Sequence, residues 1–583
     1  MKISLNWLNN YVELKGIPVN EIAERLTDSG LEVEDINYLG KQYENFVVGL
    51  VKEKKKHPNA DKLSLCLVTT GQEEFNVVCG APNVESGLKV AFAKIGAVIP
   101  EGQFKIEKTK IRGEFSYGMI CSERELGISN DHSGIMVLDR DIQPGVSLAE
   151  ALGLNDVVFE LGITPNRPDA LCHFGVARDL AAIFNLPLNK PKLYIKESGE
   201  KVENSAAIDI QNSKGCPRYS AIVVKNVTIK ESPSWLKQKL TSIDLRPINN
   251  IVDITNFVLH EIGQPLHAFD LDNLQERKII VKNADEGEVF TTLDSKERKL
   301  KSSDLMICDG KRSVAIAGIM GGENSEVTDK TKNLLIESAY FNPSSVRKTS
   351  KSLQLSTDAS YRFERGVDPN NTVYAAKRAA QLMAELSGGE VLNGVLDVYP
   401  KIIEEKEVGI RFSRIKKILG FEISPENVKS ILEKLGLIII EEKSDELKLR
   451  VPTYRPDIER EIDLIEEVAR IYGYDKIPAV EKIGITLDKK TDTSSFKDLL
   501  RNAAISIGFN EIITNSLQPL EVTSLTGKPI SIINPDNQEM SDLRTSLLQG
   551  GLISIAHNIN VGQKNLNFFE IGNVFNKITA NEI

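Results

Sequence analysis

From Phe46 onward the sequence runs FVVGLV (46–51), KLSLCLV (62–68), FNVVC (75–79), KVAFAKIGAVI (89–99) and FKIEKTKIRG (104–113), with Gly, Pro and Asn between the runs. Short alternating segments at near-regular spacing predict a small β-barrel. Before it, Ile22, Ala23 and Leu26 predict a helix over Val19–Ser29 that Gly30 ends, and LEVEDINYL alternates like a strand. This gives an N-terminal α/β segment at 1–38 and a barrel domain at 39–150. The rest of the N-terminal unit follows at 151–206, with the proline-punctuated stretch Pro187–Lys201 as linker. Mixed strands and short helices predict an α+β domain at 207–400. A small helix-turn-helix-like domain at 401–477 follows a charged lead-in (Lys401–Val408), with helical runs Ser413–Leu419 and Pro425–Leu435, a strand pair and an acidic helix. The last unit spans 485–583, and a strand and its turn run into the C-terminus without closing a domain. The fold class is multidomain α+β.

At roughly 100–200 residues per domain, 583 residues predict about three to five units. With 41% apolar and 26% charged residues the composition is globular. A net charge of −10 argues against a wholesale nucleic-acid coat but allows a local basic face. No apolar run approaches the ~20 residues that span a bilayer. Asn9 and Asn10 interrupt any signal-peptide core. Six scattered cysteines without a CxxC pair suggest reduced thiols and no zinc site. The expectation is a soluble, cytoplasmic protein with no membrane contact.

The barrel carries HPNADKLSLCLV (57–68), VVCGAPNV (77–84) and IRGEFSYGMICSERELGI (111–128). Gly80, Gly113 and Gly118 allow tight turns and close backbone approach. Lys52, Lys54, Lys55, Lys56 and Lys62 form a basic cluster. By charge alone that run reads as a solvated face. In this order the three segments resemble the tRNA-binding oligonucleotide-binding barrel of the phenylalanyl-tRNA synthetase β-subunit family, which turns the reading toward RNA.

The α+β domain carries RPINNIVDITNFVLHEIGQPLHAFD (246–270), AIAGIMGGENSEV (315–327), NLLIESAYF (333–341) and STDASYRFERGVDP (356–369). Each borders an apolar strand, so their polar residues can line a cleft. A lone His267 reads as structural. Glu337, inside apolar LLIESA, needs a partner or a function. In order, these stretches resemble the editing domain of the same family. The resemblance implies an editing pocket of Arg246, His267, Gly321, Glu337, Thr357 and Ala359, with Glu337 reading a phenolic hydroxyl. His267 and Arg246 would place the tRNA 3′ end and a water, Gly321 would leave room for the ester, and Thr357 and Ala359 would wall the amino acid.

In VPTYRPDIEREIDLIEEVARIYGYDKIP (451–478), Asp463, Glu466 and Glu467 fall at i, i+3 and i+4 on one helix face, with Asp457 at the expected helix start. Read alone, this is an exposed acidic helix aided by its dipole and a Glu466–Arg470 pair. The segment resembles the family motif whose carboxylates bind Mg²⁺ at the junction with the α subunit, which makes Asp457, Asp463, Glu466 and Glu467 the implied ligands.

The C-terminal stretches GFNEIITNSL (508–517), INPDNQEMSDLRTSLLQGGL (533–552) and NFFEIGNVF (567–575) resemble the family's degenerate class II synthetase-like domain, an incomplete antiparallel sheet. Active class II enzymes carry Arg-x-Glu where this chain has Phe568-Phe569-Glu570, so the cation that would grip ATP phosphate is missing and the domain reads as a scaffold. The motif that would hold adenine and the usual anticodon-binding domain lie beyond the chain, by truncation or on a separate chain. The resemblance implies an α2β2 phenylalanine–tRNA ligase in which the α subunit uses ATP, while this chain binds tRNA(Phe) and hydrolyses mischarged Tyr-tRNA(Phe). A pocket rejects an isostere with one added hydroxyl only ~10²-fold, which is why a second, hydrolytic sieve is useful. The alternatives are a free-standing tRNA deacylase, a non-enzymatic RNA-binding scaffold, and a DNA-binding protein using Arg411–Tyr474.

Overall fold

The computed structural model describes residues 1–479 and 494–577. The predicted unit at 485–583 therefore falls partly outside the described residues. The chain divides into two compact units, Met1–Pro478 and Ala479–Ile583.

In the first unit, strands Lys2–Ser4, Val157–Gly162 and Glu32–Tyr38 form one antiparallel sheet with Val157–Gly162 in the middle, so residues near 1, 35 and 160 share a sheet. The helix Val19–Asp28 buries Ile22, Ala23 and Leu26, and Gly30 follows at φ +91°, as a left-handed helix stop requires. The barrel strands lie in the order Glu74–Cys79, Ser64–Thr69, Phe46–Lys56, Lys89–Lys94, Gly118–Ile120. Val51, Val68, Val77, Val90, Phe92 and Ile120 fill the interior. A Cβ on Gly118 would sit 2.5 Å from the Phe92 ring, so this strand approaches only as glycine.

The 207–400 region centres on strands Arg218–Lys225, Leu334–Tyr340 and Leu266–Asp270, all antiparallel. One face, with Ile222, Val224, Leu334 and Ile336, packs into the core that includes helices Asn250–Ile262 and Thr372–Ser387. The other, with Tyr219, Ala221, Leu335 and Ala339, packs toward a second sheet containing Lys278–Asn283 and Leu305–Cys308.

Two segments of this first unit differ from expectation. Glu197–Lys201, the end of the predicted linker, is a strand paired in parallel with Glu390–Asn393 at the sheet edge. Its polar ESGEK lacks the alternation of a half-buried strand because it is an edge. The predicted strand pair near residue 440 is a three-stranded sheet. Lys406–Arg411, half of it read as a charged lead-in, pairs with Glu446–Val451 and buries Val408 and Ile410. The helical runs form at Phe412–Leu419 and Pro425–Lys434.

In the second unit, helices Ser495–Ser506 and Leu548–Asn560 accompany two-residue strands. Asn510–Glu511 pairs with Phe568–Phe569 in parallel, a departure from the antiparallel expectation. Leu517–Gln518, Asp542–Leu543 and Ile530–Ser531 pair antiparallel. All six cysteines are unpaired and buried, and no helix among the described residues is long and apolar enough to cross a membrane.

Candidate functional site

Cross-strand register assembles the centre of the site. Glu337 stands opposite His267 on one neighbouring strand and Ala221 on the other. Directly opposed residues share a face, and Tyr219, two residues before Ala221, shares it too. The Tyr219 hydroxyl donates to Glu337 Oε2 at 2.6 Å. Burial pushes the Glu337 carboxyl up to about 7, against the opposing effect of that hydrogen bond. Burial also raises the Tyr219 phenol well above its ordinary range, so it stays a donor.

His267 lies edge-on to Phe269, and its buried Nε2 has no hydrogen-bond partner. Burial lowers its imidazole to about 4, so the ring is neutral at pH 7. A Cβ on Gly321 would lie 2.6 Å from His267 Cε1 and 2.8 Å from Nε2. Gly321 thus clears space for the imidazole itself. Thr357 caps helix Asp358–Phe363: its hydroxyl accepts from Ser360 N–H and donates to the Ile319 carbonyl at 2.9 Å. That bond ties the STDAS segment to the turn before Gly321. Ala359 is half-buried against the same core.

Glu337, His267 and Gly321 are therefore brought together, and Thr357 buttresses them through Ile319. Arg246 is exposed in the loop between helices Ser234–Ser242 and Asn250–Ile262, and no hydrogen bond or ion pair links it to the others. Tyr219 escaped the sequence reading because RYSAIVVK looks like plain core strand. The available signal was that a buried phenol needs a polar partner.

The four implied metal ligands do not converge. The helix begins at Glu461, leaving Asp457 outside it, where both oxygens accept from Arg455 at 2.9 and 2.8 Å. Glu467 is 3% exposed and accepts from Arg455 Nη1 (2.6 Å) and from Arg470 Nε and Nη2 (2.8 and 2.6 Å). Burial pushes its carboxyl up, but the two arginines outweigh it and hold the carboxyl well below the usual range. Asp463 caps the helix, accepting the N–H groups of Glu459 and Arg460. Glu466 is exposed, and Arg470 pairs with Glu467 in place of the expected Glu466. Arg470 also reaches Asp179, which Arg167 grips, so the chain of charges ties helix Glu461–Tyr472 to helix His173–Phe184. Guanidinium groups supply the countercharge that Mg²⁺ would, and among the described residues no three His, Cys, Asp or Glu side chains are grouped to hold a metal. The residues do not fit a cation site within this chain.

In the second unit, Glu570 accepts from Arg544 at 2.6 Å and from Thr514. An arginine thus does reach the triplet, from a different segment, but its charge is spent on Glu570.

Family models match along the sequence: a putative tRNA binding domain over 46–147, a B3/4 domain over 215–388, a tRNA synthetase B5 domain over 408–474 and a phenylalanyl tRNA synthetase beta chain CLM domain over 477–582. The phenylalanine–tRNA ligase β subunit of Syntrophus aciditrophicus is 44% identical over 587 residues, covering 99% of this chain and 73% of that protein. That of Protochlamydia amoebophila is 46% identical over 586 residues, covering 98% and 73%. The chain belongs to the phenylalanine–tRNA ligase β-subunit family. The phenylalanine–tRNA ligase β subunit is part of an aminoacyl-tRNA synthetase, which implies an α-subunit partner and tRNA. Among solved structures, an N-terminal fragment of the phenylalanyl-tRNA synthetase β subunit from Pyrococcus horikoshii covers 55% of this chain and 88% of that chain, at 19% identity and a TM-score of 0.31, too distant to bear on the site.

Proposed function

We propose that this β subunit hydrolyses Tyr-tRNA(Phe) at the Glu337–His267 centre, while an α subunit, in an α2β2 assembly, attaches phenylalanine using ATP. The observation that supports this reading most is Glu337 itself. It is a buried carboxyl whose hydrogen-bond partner among the described residues is a phenol, the group that separates tyrosine from phenylalanine. A substrate phenol at the same carboxyl gains a hydrogen bond that phenylalanine leaves unmade, and an unmade buried bond costs about 1–3 kcal/mol. The chain thereby discriminates in favour of the wrong amino acid, as a sieve must.

For hydrolysis, His267 Nε2 is a buried polar atom without a hydrogen-bond partner beside a glycine. A ring held neutral is a weak base, so its role is to orient the attacking water or the terminal ribose. Arg246, exposed, attracts the tRNA 3′ end from outside, and Thr357 and Ala359 brace the wall.

Purified chain mixed with Tyr-tRNA(Phe), with and without α subunit, tests the assignment. Hydrolysis that depends on α and disappears in His267→Ala is expected. Robust hydrolysis without α would favour a free-standing deacylase, and none under either condition would favour a scaffold.

A further inference from the structure

Four of the five lysines that the sequence groups as a basic cluster are matched by carboxylates. Lys52 pairs with Glu74, Lys54 with Glu85, Lys55 with Glu53 and Lys56 with Asp61, all at 2.6–2.8 Å. That strand is locally near neutral. The unmatched charge lies elsewhere on the barrel, on the hairpin of strands Thr109–Ile111 and Glu114–Ser116 and its approach. Lys105, Lys108, Lys110 and Arg112 are exposed there, and no ion pair is formed by any of them among the described residues.

The hairpin sorts its residues by face. Lys110 pairs with Phe115 across the ladder, so Lys108, Lys110, Phe115 and Tyr117 share one side. Phe115 is 45% exposed. The Lys108 ammonium lies 4.6 Å from the Phe115 ring centre and 4.9 Å from that of Tyr117, and Lys110 lies 5.4 Å from Phe115. The opposite side, with Ile111 and Ser116, turns inward and lines a cavity of about 550 Å³ on the barrel. The Arg112–Gly113 tip has φ of +51° and +106°, and Asn59 and His57 contact the Arg112 and Ile111 carbonyls at 3.1 and 3.2 Å. The hairpin is thus a fixed platform.

An exposed Phe115 ring and a half-buried Tyr117 ring interleaved with cations outside any ion pair match a chain of bases joined by phosphates, because rings stack on bases and ammonium groups neutralise the backbone. An apolar protein partner would leave the lysines unmatched. We propose that the outward face of this hairpin is where the barrel holds unpaired nucleotides of RNA, with bases on Phe115 and Tyr117 and phosphates at Lys108 and Lys110, and that the ion-paired Lys52–Lys56 strand is not the contact. This locates the tRNA-binding function on named residues and does not depend on the hydrolytic reading.

The test is binding of an oligouridylate and of a tRNA(Phe) transcript to the full chain across a salt series. Phe115→Ala is expected to weaken oligouridylate binding about tenfold, the scale of one lost stacked base, and Phe115→Tyr to retain it. The Lys108→Gln/Lys110→Gln pair should flatten the log–log salt dependence by about 1.4, two single-strand phosphate contacts. Lys52→Gln/Lys54→Gln should leave the slope as it is. Unchanged binding in the hairpin variants, or an equal loss in the Lys52/Lys54 variant, overturns the proposal, as does an acidic peptide bound with the same dependence on Phe115. Circular dichroism of each variant separates lost contact from lost fold.

Discussion

The Tyr219 hydroxyl and Glu337 Oε2 stand 2.6 Å apart within the sheet, so the carboxyl assigned to read a substrate phenol already holds one from its own chain. Tyr219 orients the carboxyl through Oε2, and under the proposed function the other oxygen is the one that would meet a substrate phenol. Tyr219→Phe removes the donor without changing the shape. Stability should fall by about 1–3 kcal/mol, the cost of an unsatisfied buried polar group, in urea unfolding. Tyr-tRNA hydrolysis should fall with it, while Phe-tRNA synthesis by the assembly is retained.

Glu337 also sets a pH dependence. Unfolded, the carboxyl ionises near its ordinary value of 4.5; folded, burial delays this to about 7. A raised acid disfavours the folded state as pH climbs between those values, then by a constant amount, here about 3 kcal/mol. Glu337→Gln keeps an oxygen for Tyr219 and removes the titration. The variant's stability relative to the parent should therefore rise from about pH 4.5 to about pH 7 and level off, and a flat difference would show that Glu337 ionises normally.

Gly321→Ala places a methyl group 2.6 Å from His267 Cε1. The ring must shift, and the expected result is a loss of hydrolysis of at least about tenfold, since small misplacements of an orienting group reach 10²-fold. Combining it with His267→Ala should recover stability but not hydrolysis. Full activity in Gly321→Ala would mean the ring has no fixed role.

Glu467 is held by Arg455 and Arg470. Glu467→Ala leaves Arg455 on Asp457 and Arg470 on Asp179 but removes the buried carboxylate between the two guanidinium groups, and should cost about 3–5 kcal/mol. A chelator should leave the melting temperature of the isolated chain unchanged, and a drop on chelation would place a structural cation there.

Much of this was legible in the sequence where pattern is local. The barrel strands, the helix at Val19 and the two helices after Arg411 follow from alternation, 3.6-residue spacing and glycine stops. Glu337 stood out because a carboxylate in LLIESA has no bland reading. What escaped depends on pairing across long separations. Tyr219 meets Glu337 over 118 residues and Arg470 meets Asp179 over 291, and neither spacing leaves a periodic trace. The carboxylate helix shows the same limit: spacing put the acids near one another but could not place the arginines that pair with Glu467 and Asp457. The edge strand Glu197–Lys201 is invisible because an exposed edge needs no apolar face.

The most direct test of the central claim is the ratio of Tyr-tRNA(Phe) to Phe-tRNA(Phe) hydrolysis by the assembled enzyme, parent against Glu337→Ala. The account predicts a parent ratio well above one that falls about tenfold or more in the variant, with phenylalanine attachment nearly unchanged, as loss of one buried polar contact implies. An unaltered ratio, or equal loss of both hydrolysis and attachment, would contradict it.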